Sequence, residues 1–138
     1  MNGVGIGKGI YVGHTGNYII LQDKDYNANY FVALLNSYLM DFIFQTFNST
    51  NHIPARELKR LPIRSIIFNK ITDKKLHDDL VALVDVMLDL NKKIQSAKGS
   101  AKDQIQRQID KTDREIDDIV YELYGITEGE RKIIEGVA

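Results

Sequence analysis

The side chains with chemistry to offer are concentrated in one short stretch. Between residues 52 and 64, Arg56, Lys59, Arg60 and Arg64 face a single acid, Glu57. A basic run of this density can neutralise DNA phosphates, because counterion release makes such contacts effective whatever the base sequence. The same composition suits a solvated edge strand guarded by charge, with Leu58, Leu61 and Ile63 turned inward and Pro62 confining it to an edge or a strand end. Composition leaves both readings open. Two weaker candidates for the same anion are Lys8, in a glycine-rich beginning, and His14, at the tip of a polar loop.

Other chemistries are poorly supplied. Gly3, Gly5, Gly7 and Gly9 alternate with Val4, Ile6 and Lys8. A phosphate-binding P-loop needs Gly-Lys followed by Ser or Thr, whereas Lys8 is followed by Gly9. A dinucleotide fingerprint needs a preceding strand, for which there is no room before Gly3. The stretch therefore reads as a flexible loop. The three histidines, His14, His52 and His77, are scattered, and there is no cysteine, which excludes disulfides and cysteine-ligated zinc. His77 follows a seam residue and is expected to be exposed. Asp110, Asp113, Glu115, Asp117 and Asp118 crowd one helix among Lys111 and Arg114, and without pocket-forming neighbours they read as a solvated face, not an acid–base pair. No catalytic, cofactor-binding or metal-binding residue is nominated, and an independent enzyme is the least favoured class.

The elements that must position the basic stretch are organised around residues 72–124. Leu76, Leu80, Leu83, Met87, Leu90 and Ile94 recur at alternating spacings of four and three, as do Ile105, Ile109, Thr112, Ile116, Ile119 and Leu123. Ala97-Lys98-Gly99-Ser100 separates the two seams, so they predict two helices packed antiparallel, an arm about 35 Å long. Thr72 and Ser100 with Asp103 are the expected caps at the helix starts, Gly125 the stop, and Thr127 with Glu130 a capping box opening a last short helix. Upstream, residues 10–12 and 17–21 read as strands of a hairpin, and residues 27–47 as one helix whose apolar arc is wide enough to be buried on more than one side.

Hydrophobic residues make up 43% of the chain, ordinary for a globular protein. The longest apolar run, residues 30–47, is interrupted by Asn36, Ser37, Asp41 and Gln45, so it is expected to be a core helix and not a membrane span. No secretion signal is visible at the amino terminus. Up to Ile71 there are seven Lys or Arg and four Asp or Glu; from Thr72 onward there are eleven against fifteen. That division tells against a uniformly basic nucleic-acid wrapper and leaves a basic first half before an acidic arm.

Four stretches in order then resemble a known family. They are Ala33-Leu34-Leu35-Asn36-Ser37; residues 52–63; Leu83-Val84-Asp85 with Leu90-Asn91-Lys92-Lys93; and residues 112–117 with 120–127. Together they resemble the carboxyl-terminal region of type II and IIG restriction-modification adenine-specific DNA methyltransferases, where a TaqI-like target-recognition domain ends in a helical hairpin. The resemblance implies a parent enzyme that binds S-adenosylmethionine and methylates adenine at N6 with an Asn-Pro-Pro-Tyr motif. This chain holds no such motif, and its two prolines, Pro54 and Pro62, are apart.

The expected fold is therefore α+β: a small partial β lobe with one buried helix, then a long antiparallel, coiled-coil-like hairpin and a short terminal helix. Residues 1–69 would be the end of the target-recognition domain and 70–138 the hairpin. The expected partners are double-stranded DNA, the catalytic methyltransferase domain of the parent and, through the hairpin, a second copy, with no membrane and a cytoplasmic location. The alternatives are a hairpin assembly module without DNA, or a fragment of a type I restriction specificity subunit.

Overall fold

The computed structural model describes residues 3–6, 9–12, 17–20, 23–47 and 61–137, the strands and Phe47 through their backbone alone. Its long axis is the pair α3 (Ile71–Ser96) and α4 (Gly99–Tyr124), joined by Ala97 and Lys98. Lys75 lies within electrostatic reach of Glu122, and one groove brings Asp79, Ala82 and Leu83 against Glu115, Asp118 and Ile119, so the two helices run antiparallel. Gly99 makes the turn possible at φ 59°, in the left-handed region that side chains resist. Gly125 ends α4 in the same way at φ 64°, and the Thr127–Glu130 capping box opens α5 (Glu128–Ile134). The other expected caps differ. Lys70 and Lys98 stand at the N-caps of α3 and α4 without a side-chain hydrogen bond, and Thr72 lies inside α3.

The apolar seam is present, although it is not the most deeply buried row of α3. Leu80 and Leu90 are buried and Leu76, Leu83 and Met87 half-buried, while the neighbouring row of Asp73, His77, Leu80 and Val84 is covered throughout. The reason is a third layer. Helix α1 (Ala28–Leu35) lies along that row and buries Tyr30, Val32, Ala33, Leu34 and Leu35. On the other helix, α2 (Tyr38–Phe47) and α5 cover Asp117, Val120 and Tyr121. Leu34, Leu80 and Val120 are each fully buried, one from each of α1, α3 and α4, and removing such a side chain from water stabilises by about 1.5–3 kcal/mol.

The single helix expected over residues 27–47 is two. Asn36 leaves the helical conformation as the C-cap of α1, and Ser37 restarts the chain. The Ser37 hydroxyl donates to the Leu34 carbonyl at 2.7 Å and accepts from the Met40 N–H at 3.2 Å, closing one helix and capping the next. The first amide of α2, at Tyr38, donates to the Asp117 carboxylate at 3.0 Å. A carboxylate at a helix N-terminus satisfies an orphan donor and meets the positive end of the helix dipole, here from a residue far along the chain.

The α+β class is corrected. Five helices build the described body, and every side chain described in its core comes from a helix or from the connection after Leu61. The lobe of sheet around one buried helix does not form: among the described residues strand pairing is confined to three four-residue segments before residue 21, Gly3–Ile6, Gly9–Val12 and Asn17–Ile20, in an antiparallel meander. Among the described residues no strand follows Ile20. Residues 61–64, the described end of the 52–64 stretch for which an edge strand is one of the two readings, pair with no strand among the described residues, and side chains satisfy much of their backbone, as the next section describes.

Asp117 also departs from the solvated face expected for its helix. It is 5% exposed, and burial, with Asp113 and Glu135 nearby, pushes its carboxyl up to about 6 against the opposing effects of the Tyr38 N–H and Arg131. A carboxyl whose folded pKa is raised contributes its full stability at acid pH, below its unfolded value near 4, and loses it as pH climbs through the folded value. Over that interval the ionised group costs about 2–3 kcal/mol. Asp117→Asn keeps the oxygen that accepts from Tyr38 and removes the charge. Urea unfolding should show the variant gaining about 2–3 kcal/mol on the wild type between pH 4 and pH 8. A difference that stays constant across that range would refute this account of Asp117.

Candidate nucleic-acid interface

Residues 61–67 carry the end of the basic stretch into α3. Leu61 and Ile66 are buried, so the backbone between them needs hydrogen-bond partners; the Ile63 N–H donates to the Leu61 carbonyl at 3.0 Å, and among the described residues the other partners are side chains. The Tyr124 hydroxyl accepts from the Arg64 N–H at 2.9 Å and donates to the Pro62 carbonyl at 2.6 Å. The Tyr30 hydroxyl donates to the Arg64 carbonyl. The Tyr26 hydroxyl accepts from the Ile66 N–H at 2.7 Å, and the Asp73 carboxylate accepts from the Ile67 N–H at 3.0 Å. Burial raises the Tyr30 and Tyr124 phenols above their ordinary range, so both remain protonated donors at working pH.

Local sequence explains how these groups converge. Tyr26 and Tyr30 are four residues apart at the entry to α1, where Asn27 caps the helix by accepting from the Asn29 N–H at 2.9 Å. Tyr124 is the last residue of α4, and Asp73 stands in the first turn of α3. His77 joins them, contrary to the exposure expected for it. It is 4% exposed, ringed by Tyr26, Tyr30 and Phe68 at centroid distances of 5.0–6.0 Å. Its Nε2 accepts from the Asn27 N–H at 3.2 Å, which puts the ring proton on Nδ1, facing the Asp78 carboxylate at 2.9 Å. An imidazole with both nitrogens used in this way pins the start of α1 to α3.

Of the six nominated residues, Arg64 falls within the described structure; Lys8, His14, Arg56, Lys59 and Arg60 lie outside it. The Arg64 guanidinium donates to the Ser65 carbonyl and pairs with Asp73 at 3.4 Å, while its side chain stays 38% exposed. Lys70 reaches the other oxygen of Asp73 at 3.7 Å. The Ile67 N–H bond, followed by Arg64 and Lys70, outweighs burial and holds the Asp73 carboxyl below the ordinary range. Arg64 is thus oriented by the clamp on its own peptide and by Asp73, and it presents a partly open cation at the edge of the basic stretch. The residues that do this positioning, Tyr26, Tyr30, Tyr124 and Asp73, carried no motif. Their only signal is that phenols buried at a helix entry or exit need acceptors, and a segment beginning with Pro62 has no strand to supply them. Among the described residues no group of His, Asp or Glu could hold a metal ion.

Tyr124→Phe removes one hydroxyl and leaves the Arg64 N–H and the Pro62 carbonyl without their partner. The expected loss is about 1–3 kcal/mol by urea unfolding, with Tyr38→Phe, an exposed phenol, as a control expected within about 0.5 kcal/mol of wild type. Equal stabilities for the two variants would contradict the clamp.

Comparison with known families gives one match. Residues 6–63 fit the TaqI-like C-terminal specificity domain. No curated protein and no solved structure matches the chain. The matched span ends at Ile63, inside the segment whose backbone Tyr124 and Tyr30 hold. Residues 6–63 are thus similar to the TaqI-like C-terminal specificity domain, a likeness consistent with a target-recognition domain of restriction-modification methyltransferases.

Proposed function

We propose that this chain is the DNA-reading, non-catalytic end of a restriction-modification N6-adenine DNA methyltransferase. Residues 1–69 close its target-recognition domain, and 70–138 form the helical hairpin that carries it. The match of residues 6–63 to the specificity domain is the observation that supports this reading. In it the catalytic methyltransferase domain of the parent protein binds S-adenosylmethionine and transfers the methyl group, and the present chain selects the site. Arg56, Lys59 and Arg60 contact phosphates, with Arg64 at the border, and Lys8 and His14 approach the same duplex. A cytoplasmic location follows from the partner. Among the described residues no helix is long and apolar enough to cross a membrane.

The test is fluorescence anisotropy with labelled duplex DNA over salt from about 50 to 200 mM, where phosphate contacts lose most of their affinity. Changing Arg56, Lys59 and Arg60 to Ala should weaken binding at every salt concentration. It should also reduce the slope of log affinity against log salt by about 2 to 3, near 0.9 for each cation removed. Equal, salt-insensitive binding by the two proteins would overturn the proposal.

A further inference from the structure

Charge along the hairpin is sorted by distance from the core. Leu90 on α3 and Thr112 on α4 are the last buried residues before the turn. Between them, residues 91–109 hold Lys92, Lys93, Lys98, Lys102 and Arg107 against one acid, Asp103. The root, residues 71–90 with 110–124, holds four cations against eleven acids. The arm is therefore acidic at its base and basic at its end, which projects about 10 Å past the last buried layer.

The cations at the tip are free. Lys93 pairs with Asp89 at 2.7 Å, but Lys92, Lys98, Lys102 and Arg107 are exposed and form no ion pair among the described residues. Lysines at the root are used differently: Lys74, Lys75 and Lys111 each pair with a carboxylate four residues on. Folding gives no reason for four like charges to share the end of a rod, since they repel one another there.

What surrounds the charge identifies the partner. The tip exposes no large apolar side chain, because Ile94, Ile105 and Ile109 are half-buried between the helices. The remaining exposed surface includes Gln95, Gln104 and Gln106. A protein interface has an apolar or aromatic centre depleted in lysine, and a membrane-binding helix has an apolar face to insert; this surface has neither. Lysine, arginine and glutamine without an apolar anchor is the composition that contacts phosphate and sugar.

We infer that the tip of the hairpin is a second DNA-backbone contact, in which Lys92, Lys98, Lys102 and Arg107 bind phosphates flanking the recognised site. The inference rests on the DNA-reading function proposed above and extends it from the specificity domain to the arm.

The test uses the whole chain with Lys92, Lys98, Lys102 and Arg107 changed to Gln, beside the Arg56, Lys59 and Arg60 to Ala variant. On a duplex of roughly 30 base pairs, the tip variant should bind at least about tenfold more weakly at low salt, with a slope reduced by about 3 to 4. On a duplex of roughly 8 base pairs, about 27 Å long and shorter than the arm, it should match the wild type. Because the chain has no cysteine, Ser100→Cys offers a single attachment point at the tip for a photo-crosslinker, and Glu128→Cys an equivalent point away from it. Crosslinking to the longer duplex should be at least severalfold higher from position 100. If wild type and tip variant bind the long duplex alike, or the two attachment points crosslink alike, the tip contact is wrong and the specificity-domain reading stands. If the wild type binds no duplex, both fail. Stronger binding of the tip to anionic vesicles than to duplex would also overturn it.

Discussion

A backbone segment that pairs with no strand must find other partners for its buried amides and carbonyls, and residues 62–67 find most of theirs, among the described residues, in three tyrosine hydroxyls and one carboxylate. The rest of the molecule is arranged around that requirement. Tyr26 and Tyr30 come from the entry to α1, Tyr124 from the end of α4 and Asp73 from the start of α3, so these elements must meet at one place for the segment to be held. The same residues form the core: the Tyr30 ring is fully buried while its hydroxyl serves the Arg64 carbonyl. One set of side chains thus joins the 62–67 segment and α1 to the hairpin and closes the core between them.

A second long-range constraint acts two turns earlier on α4. Asp117 caps α2 through Tyr38 from inside the protein, and burial raises its pKa instead of letting the cap hold it down. Capping and desolvation oppose one another at this carboxylate, and desolvation is the larger. The adjoining ion pairs of Arg131 with Asp118 at 2.5 Å and with Glu135 at 3.1 Å fasten α5 across the same face. The base of the hairpin is therefore tied to each of its neighbours, whereas among the described residues its far end is held by the half-buried seam between its two helices.

That difference has a functional meaning if the chain works on DNA. A rigid arm, acidic where it meets the body and basic where it leaves it, orients itself in the field of a polyanion: the root is repelled and the tip attracted.

Much of this was legible in the sequence. The four-three spacing of Leu76 through Ile94 and of Ile105 through Leu123 determines two antiparallel helices, since no other period buries those residues together. The Gly125 stop and the Thr127–Glu130 capping box depend on backbone and side-chain chemistry within a few residues, and they form as read. The family of residues 6–63 was legible too, from stretches of side chains in order. What tertiary structure alone decided were the contacts between residues distant in the chain. His77 looked exposed because its own helix offers it nothing, and it is buried because α1 covers that row. Asp117 looked solvated for the same reason, and it became a buried cap because α2 needed an acceptor. The break at Ser37 was visible as a polar interruption, but whether the helix continued through it turned on hydrogen bonds of the Ser37 hydroxyl and on Asp117. At residues 61–64 the edge-strand reading meets a segment whose backbone is held by the Tyr30 and Tyr124 phenols, which come from distant helices. Periodicity reports the environment a helix makes for itself; the burial of a polar group depends on who packs against it, and that is set only when the chain closes.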